Sequence, residues 1–194
     1  MIDVCLCTHD PRAGILERAI ASLARQRVAP GTFRLLLVDN ASNPPIDERV
    51  LAPLRSAGIE ARLVCEPEPG LTRARLRAVA ETAGRWILLL DDDNELREDY
   101  VAEGLRFAAE RPDVGCFGGK LLLPEGFRPP RWAWPFYSWI AVKDAGEETI
   151  TGCSDDWGLW EPPGAGAFVR REVAEEWRRR FGGDPRLLGL GRTG

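Results

Sequence analysis

The sequence WILLLDDD at residues 86–93 joins five consecutive apolar residues to three consecutive carboxylates. An unbroken apolar run of this length is typical of a strand buried on both faces, as in a parallel sheet. Such a strand would carry Asp91, Asp92 and Asp93 to the C-terminal edge of the sheet, where open α/β sheets bind their ligands. Because side chains alternate along extended chain, we expect Asp91 and Asp93 to point the same way.

Three adjacent carboxylates repel one another, and a cation would relieve that repulsion. Like charges about 4 Å apart repel by roughly 4 kcal/mol at an effective dielectric constant near 20. Hard oxygen ligands suit Mg²⁺ or Mn²⁺, and such ions usually keep positions open for a substrate's phosphates. The same acidic run could instead cap a helix that begins near Arg97, since carboxylates stabilise helix N-termini.

Apolar runs alternate with helical patterns through the first 123 residues. Strands are predicted at residues 3–7, 34–38, 62–65, 86–90 and 114–123. Helices are predicted at residues 46–57 and 71–83, and along the apolar stripes that start at Ile15 and Val101. This alternation predicts an α/β fold, with a mostly parallel sheet and helices on both of its faces.

The bulk properties are those of one ordinary globular domain of 194 residues. The net charge of −4 gives no basic field that would favour nucleic acid. Five scattered cysteines without a CxxC motif fit a reducing compartment. The N-terminus is predicted to be a strand rather than a signal peptide, and no apolar run reaches the roughly 20 residues of a membrane span. We therefore expect a cytoplasmic protein, with peripheral association at the inner face of the membrane as a further option.

The character of the chain changes after residue 123, where prolines and aromatic residues become frequent. We therefore divide one domain into a core, residues 1–123, and an irregular second part, residues 124–194. The aromatic residues of the second part are Trp132, Trp134, Phe136, Tyr137, Trp139, Trp157 and Trp160. They could fill an irregular layer on the sheet or form a binding surface. A short strand at residues 167–169 and a helix at residues 171–181 are predicted to follow.

Polar side chains follow each of the first four predicted strands. The first strand leads into Thr8, the second into Asp39, the third into the turn at Gly70 and the helix that carries Arg75, and the fourth into the aspartates. In a parallel sheet, these strand ends all lie at one edge, so the side chains should converge. Taken singly, Asp39 could be only a turn residue, and Thr8 only a cap.

This ordered series resembles the inverting glycosyltransferases of family 2, which have the GT-A fold, over essentially the whole chain. The segments that carry the resemblance are Cys7-Thr8-His9-Asp10, Val38-Asp39-Asn40-Ala41-Ser42, Gly70 through Arg75, Asp91-Asp92-Asp93, and Pro163-Gly164-Ala165-Gly166 with Arg170-Arg171. The resemblance implies sugar transfer from a nucleoside-diphosphate sugar, most simply a UDP-sugar, to a glycan or lipid-linked acceptor. It also implies a Mn²⁺ or Mg²⁺ cofactor and a place in bacterial polysaccharide biosynthesis.

The resemblance also implies roles for individual residues. Thr8 and Asp39 would hold the nucleotide's base and ribose, and Arg75 would help at the base. The three aspartates correspond to the family's DxD motif: Asp91 and Asp92 would contact the nucleotide, and Asp93 would bind the metal at the diphosphate. The residues that would line the donor sugar and the acceptor are Gly164, Ala165 and Gly166.

The catalytic base is the part of the family pattern that this sequence does not supply. In the family, it lies in a Glu-Asp motif beyond the glycine loop, about where this sequence reaches Gly194. We therefore expect the base C-terminal to Gly194, since no motif supports Asp155 or Asp156. Two other functions stay open: a nucleotide-sugar-binding module without turnover, and a nucleotidyltransferase. The latter should have a glycine-rich phosphate loop after the first strand, where this chain has residues 8–14, THDPRAG.

Overall fold

The computed structural model describes residues 1–140, 142–154 and 158–188. Asp155, Asp156 and Trp157 lie outside the described residues, as do residues 189–194 and the side chains of Tyr137 and Trp139. The strands are β1 (Ile2–Thr8), β2 (Phe33–Asn40), β3 (Ala61–Glu66), β4 (Trp86–Asp91), β5 (Cys116–Phe117) and β6 (Ala167–Arg170). They form one sheet in the order β3-β2-β1-β4-β6-β5.

Six α-helices accompany the sheet. They are α1 (Ile15–Ala24), α2 (Ala52–Ser56), α3 (Leu71–Glu81), α4 (Tyr100–Glu110), α5 (Arg171–Phe181) and α6 (Pro185–Leu188) in the described part of the chain. Two 3₁₀ segments, Glu48–Leu51 and Arg131–Ile140, lie between them. The single helix predicted at residues 46–57 is therefore wrong in its start. Pro53 accounts for the break, because proline is tolerated in the first turn of an α-helix and not within it.

Alternation along β1 separates the two apolar layers of the fold. Val4 and Leu6 face the layer that α1, α2 and α4 cover, and Cys5 and Cys7 face the layer that α3 and α5 cover. Both faces of the strand are buried, which explains why its sequence is apolar without interruption. The prediction of helices on both faces is confirmed.

The parallel part of the sheet brings the polar strand ends together. β1 pairs in parallel with both β2 and β4, and β2 pairs in parallel with β3. In this register, Thr8 lies opposite Asp39, and Cys7 lies opposite Asp91. β6 departs from this pattern, because it runs antiparallel to both β4 and β5.

The predicted strand at residues 114–123 is much shorter in the structure, where only Cys116–Phe117 is β5. Two glycines follow it, and a Cβ on Gly119 would lie 2.7 Å from the ring of Tyr100. The chain leaves the sheet at this close approach, and Leu121 pairs separately with Lys143. Among the residues that the structure describes, no helix has both the length and the apolar character needed to cross a membrane.

The buried carboxylate of Asp3 stabilises the edge of the sheet at which the parallel strands begin, opposite the edge that carries the polar strand ends. The Asp3 side chain is 1% exposed and accepts hydrogen bonds from Arg34 Nε at 2.5 Å and from the backbone N–H groups of Ala83 and Gly84 at 2.8 and 2.5 Å. Arg171, the first residue of α5, lies 3.6 Å away. This cluster joins β1, β2 and α5, and it is a structural site rather than part of the strand-end crevice.

Candidate functional site

The candidate site, which we call the strand-end crevice, lies at the C-terminal ends of β1, β2 and β4, beside α3. Thr8 at the end of β1 donates a short hydrogen bond from its hydroxyl to the carboxylate of Asp92. Arg75, from α3, places its guanidinium Nη2 3.1 Å from an oxygen of Asp91. The structure thus brings Thr8, Arg75, Asp91 and Asp92 together, as the strand-end argument predicted.

The aspartates leave the strand earlier than the sequence analysis assumed. β4 ends at Asp91, and Asp92 and Asp93 lie in a turn. The alternation argument for Asp91 and Asp93 is therefore wrong, because it required extended backbone through all three residues. Asp93 is exposed, and its carboxylate accepts a hydrogen bond from the side chain of Asn94 at 2.6 Å.

The alternative that the aspartates cap the next helix is also wrong. The helix α4 begins at Tyr100, and its N-cap residue is Asp99 rather than any of the three aspartates. Dipole and capping effects fall off within the first turn of a helix, so residues 91–93 lie too far upstream to stabilise α4 in this way.

The electrostatics of the acidic turn favour a cation. Burial raises the pKa of Asp92, and the charges of Asp93 and Asp91 raise it further, although the hydrogen bond from Thr8 lowers it. In the described part of the chain, no three His, Cys, Asp or Glu side chains form a complete metal site. The carboxylates nevertheless fit Mg²⁺ or Mn²⁺, ions that are commonly held by one or two protein carboxylates together with the phosphates of a substrate.

Asp39 lies under the loop that follows β2. It is buried, and its two carboxylate oxygens accept hydrogen bonds from the backbone N–H groups of Ser42 at 3.1 Å and Ile46 at 2.9 Å. Ala41, which lies between Asp39 and Ser42, has a left-handed φ of 57°, a conformation that costs energy in a non-glycine residue. Asp39 therefore holds this strained loop in place, and its contact with a base or ribose stays a prediction.

Asn40 is a positioning residue to which the sequence analysis gave no role. Its buried amide donates to the carbonyls of Glu66 and Glu68 at 3.1 and 2.7 Å, and its side-chain oxygen accepts from the N–H of Gly70 at 2.7 Å. Its backbone carbonyl lies 2.6 Å from Nδ1 of His9. One side chain thus connects the loop after β3 to the end of β2, and the only sequence signal for Asn40 was its place near the end of a predicted buried strand.

The glycine loop, residues 163–166, closes one side of the strand-end crevice. A Cβ on Gly164 would lie 3.2 Å from Nη2 of Arg75, so the loop passes directly against the guanidinium. Gly166 has a φ of 83°, which favours glycine, and its N–H donates to the Leu89 carbonyl at 2.8 Å. Of the three residues predicted for this loop, Gly164 has the clearest contact with the crevice.

Tyr100 holds the glycine loop from the other side and was also missed. Its hydroxyl donates to the carbonyl of Gly166 at 2.7 Å and accepts from the N–H of Gly119 at 2.9 Å. A cavity of about 930 Å³ opens beside it, between α4 and residues 145–153. This cavity reaches the glycine loop at Pro163, whereas Thr8, Arg75 and the aspartates do not line it.

Comparisons with solved structures agree with this architecture. A mannosyltransferase from Pyrobaculum calidifontis, in complex with GDP-Man and Mn²⁺, matches with a TM-score of 0.61 and 20% identity over 98% of this chain and 49% of that one. TarS from S. aureus, in complex with UDP-GlcNAc, matches with a TM-score of 0.56 and 18% identity over 67% of this chain and 37% of that one. At these identities the likeness concerns the fold, and the predicted GT-A fold is confirmed.

Sequence relatives point the same way. An N-acetylglucosaminyltransferase of Rhizobium meliloti is 30% identical over 122 residues, which are 62% of this chain and 28% of that protein. An uncharacterised protein of Sinorhizobium fredii, y4gI, is 27% identical over 128 residues, 65% of this chain and 14% of that protein. The chain therefore spans less than a third of either relative. The model of glycosyl transferase family 2 matches residues 3–178, and the chain belongs to that family.

Proposed function

We propose that this chain binds a nucleoside-diphosphate sugar, a UDP-sugar in particular, for metal-dependent, inverting transfer to a glycan or lipid-linked acceptor. The observation that carries the proposal is the convergence of Thr8, Arg75, three aspartates and Gly164 at one sheet edge of a family 2 chain. The solved relatives support it, since one is in complex with UDP-GlcNAc and another with GDP-Man and Mn²⁺. We place the reaction in the cytoplasm, at the inner face of the membrane, in polysaccharide biosynthesis.

We propose a separate role in donor binding for each side chain of the strand-end crevice. Asp39 and Thr8 would hold the base and ribose, Arg75 would help at the base, and the glycine loop would line the sugar. Asp91 is paired with Arg75, and Asp92 with Thr8, which leaves the exposed Asp93 as the carboxylate best placed to hold a cation. A bound Mn²⁺ or Mg²⁺ supplies Lewis-acid stabilisation of the charge that develops on the leaving nucleoside diphosphate.

Inversion needs a carboxylate that takes the proton of the attacking acceptor hydroxyl. The identity of that base stays a prediction from the sequence. Asp155 and Asp156 lie outside the described residues, so neither gains structural support as an alternative.

A thermal-shift panel tests the proposed function. The protein is heated with UDP, GDP, UDP-GlcNAc or GDP-mannose, each in Mn²⁺ and in a chelator. A ligand that binds only the folded state at 100 times its Kd adds about 2.7 kcal/mol of stability, so the uridine ligands should raise Tm clearly in Mn²⁺. If none of the four raises Tm, the proposal is wrong. If they bind but the protein neither hydrolyses nor transfers the donor sugar, it is a binding module.

Replacing Asp39 with alanine should weaken UDP and uridine to the same extent, because the predicted contact lies away from the diphosphate. Loss of one hydrogen bond to a charged group costs about 1.5–3 kcal/mol, or roughly 10- to 150-fold in affinity. Calorimetry with both ligands measures the effect.

Asp47→Ala is the matched control for Asp39→Ala. Asp47 also accepts a backbone N–H, that of Arg49, but it lies further along the same loop and is exposed. Uridine affinity that is unchanged in Asp39→Ala would reduce Asp39 to the loop-holding role described above.

A further inference from the structure

Several large apolar side chains are exposed in the part of the chain between Leu121 and Lys143, which lies outside the sheet. Phe127, Trp132 and Trp134 are 57%, 73% and 60% exposed, and Leu122 nearby is 54% exposed. We define the aromatic-basic segment as residues 126–136. Several large apolar side chains exposed within one short segment of sequence are unusual, and exposed apolar surface of this kind marks interaction sites.

The charged residues of the aromatic-basic segment are all basic. Residues 126–136 include no acidic residue, while Arg128 and Arg131 are basic; the nearest acidic residue in the sequence is Glu125, which directly precedes the segment. The whole chain, in contrast, has a net charge of −4. The segment therefore combines exposed aromatic rings with local positive charge on an otherwise acidic protein, and its partner should be both apolar and anionic.

Hydrogen bonds and an ion pair join the two ends of this part of the chain. Leu121 and Lys143 exchange two backbone hydrogen bonds, at 2.9 and 2.8 Å, and Lys120 pairs with Asp144 at 2.9 Å. Just before these residues, the N–H of Gly119 donates to Tyr100, the same hydroxyl that holds the glycine loop. The start of this part of the chain and the wall of the strand-end crevice thus contact the same side chain, that of Tyr100.

We propose that the aromatic-basic segment docks the protein onto the surface of an anionic lipid bilayer. Aromatic rings with one polar side prefer the membrane–water interface, and basic side chains near an anionic surface each add a favourable attraction. In this arrangement, Phe127, Trp132 and Trp134 enter the interface, and Arg128 and Arg131 meet lipid phosphates.

The composition of the segment argues against two other occupants. Sugar hydroxyls donate hydrogen bonds as well as accept them, yet residues 126–136, GFRPPRWAWPF, contain no side chain that accepts one. A second copy of the chain would bring two segments of the same positive charge together, which is unfavourable. An anionic bilayer satisfies both the exposed rings and the arginines.

Docking would hold the glycine loop near the membrane, where a lipid-linked acceptor would lie. In this respect the inference rests on the proposed function, but its test needs no nucleotide. The proposed function and the docking proposal can therefore be refuted separately. The thermal-shift panel tests the donor site, and vesicle binding tests the aromatic-basic segment.

Sedimentation with lipid vesicles tests the docking surface. The whole chain is mixed with vesicles of phosphatidylcholine alone or with about 30% phosphatidylglycerol, at low and high salt. We expect binding to the anionic vesicles that weakens as salt rises, since salt screens the attraction. The double variant Trp132→Ser/Trp134→Ser should lower the partition coefficient by at least about tenfold, and Arg128→Gln/Arg131→Gln should remove most of the preference for anionic lipid.

Two controls match these variants. Leu159→Ser removes an apolar side chain that is 74% exposed outside the segment, and Arg49→Gln removes an exposed positive charge elsewhere. Both should bind vesicles as the unchanged protein does. The proposal is overturned if the unchanged protein does not bind anionic vesicles. It is likewise overturned if the two control substitutions lower vesicle binding as much as the substitutions within the aromatic-basic segment. It is also overturned if ultracentrifugation without lipid finds a dimer that only the tryptophan variant dissociates.

Discussion

Replacing Asp93 with alanine is expected to abolish the Mn²⁺-dependent part of UDP binding and to leave the free energy of unfolding nearly unchanged. The side chain is exposed in a turn, so its removal leaves no cavity and no buried unpaired group. Changing residues that merely support a metal ligand costs about 10- to 100-fold in metal affinity, and loss of a ligand should cost at least the upper end of that range. Calorimetry of UDP with Mn²⁺ and with a chelator measures the difference.

Glu95→Ala is the matched control for Asp93→Ala. It removes an exposed carboxylate two residues away, one that pairs with Arg18 at 3.0 Å on the surface. Such exposed pairs contribute little to stability, so both variants should unfold like the unchanged protein. An Asp93→Ala protein that still binds UDP more tightly in Mn²⁺ would show that another group holds the cation.

Replacing Asp3 with alanine is expected to cause a large loss of stability, about 3–5 kcal/mol in the free energy of unfolding. The substitution leaves the N–H groups of Ala83 and Gly84 without their acceptor, and Arg34 and Arg171 without their buried partner. Breaking one side of a buried ion pair typically costs this much. Urea denaturation measures it, with Asp113→Ala as control. Asp113 pairs with Arg111 on the surface, and its loss should leave the free energy of unfolding nearly unchanged.

The pH dependence of stability gives an independent check on Asp3. Burial raises the pKa of Asp3, but hydrogen bonds from Arg34, Gly84 and Ala83 outweigh burial and hold the pKa below its ordinary value of 3.8. The carboxylate therefore adds stability above its unfolded pKa, and that contribution is lost as the pH falls through the folded pKa. The gap in stability between the unchanged protein and Asp3→Ala should narrow below about pH 4. A gap of the same size in acid would contradict the assignment.

The regular core could be predicted because its signals are local. The helix predicted at residues 171–181 matches α5, Arg171–Phe181, residue for residue. The apolar run from Trp86 became β4, and the convergence of strand ends follows from parallel pairing alone. Periodicity and burial on both faces suffice for these elements, since each element's own residues carry the pattern.

The fine structure of the crevice could not be predicted, because it depends on contacts between distant residues. Asn40 bonds to residues 66, 68 and 70, and Tyr100 bonds to Gly119 and Gly166, at separations that no local pattern encodes. The turn at Asp92 has the same origin, since its carboxylate is held by Thr8, 84 residues earlier in the chain. The strand predicted at residues 167–169 is β6, but its antiparallel direction could not be predicted, because a four-residue strand encodes neither its direction nor its partner.

A crystal structure with UDP and Mn²⁺, with the metal located by its anomalous scattering, tests the central claim most directly. We expect a manganese peak within coordination distance of the Asp93 carboxylate, with the diphosphate between the metal and the glycine loop and the uracil near Asp39. Control crystals of Asp93→Ala, grown in the same solution, should lack the peak. A peak elsewhere, or a nucleotide bound away from Thr8, Arg75 and the three aspartates, would contradict the account.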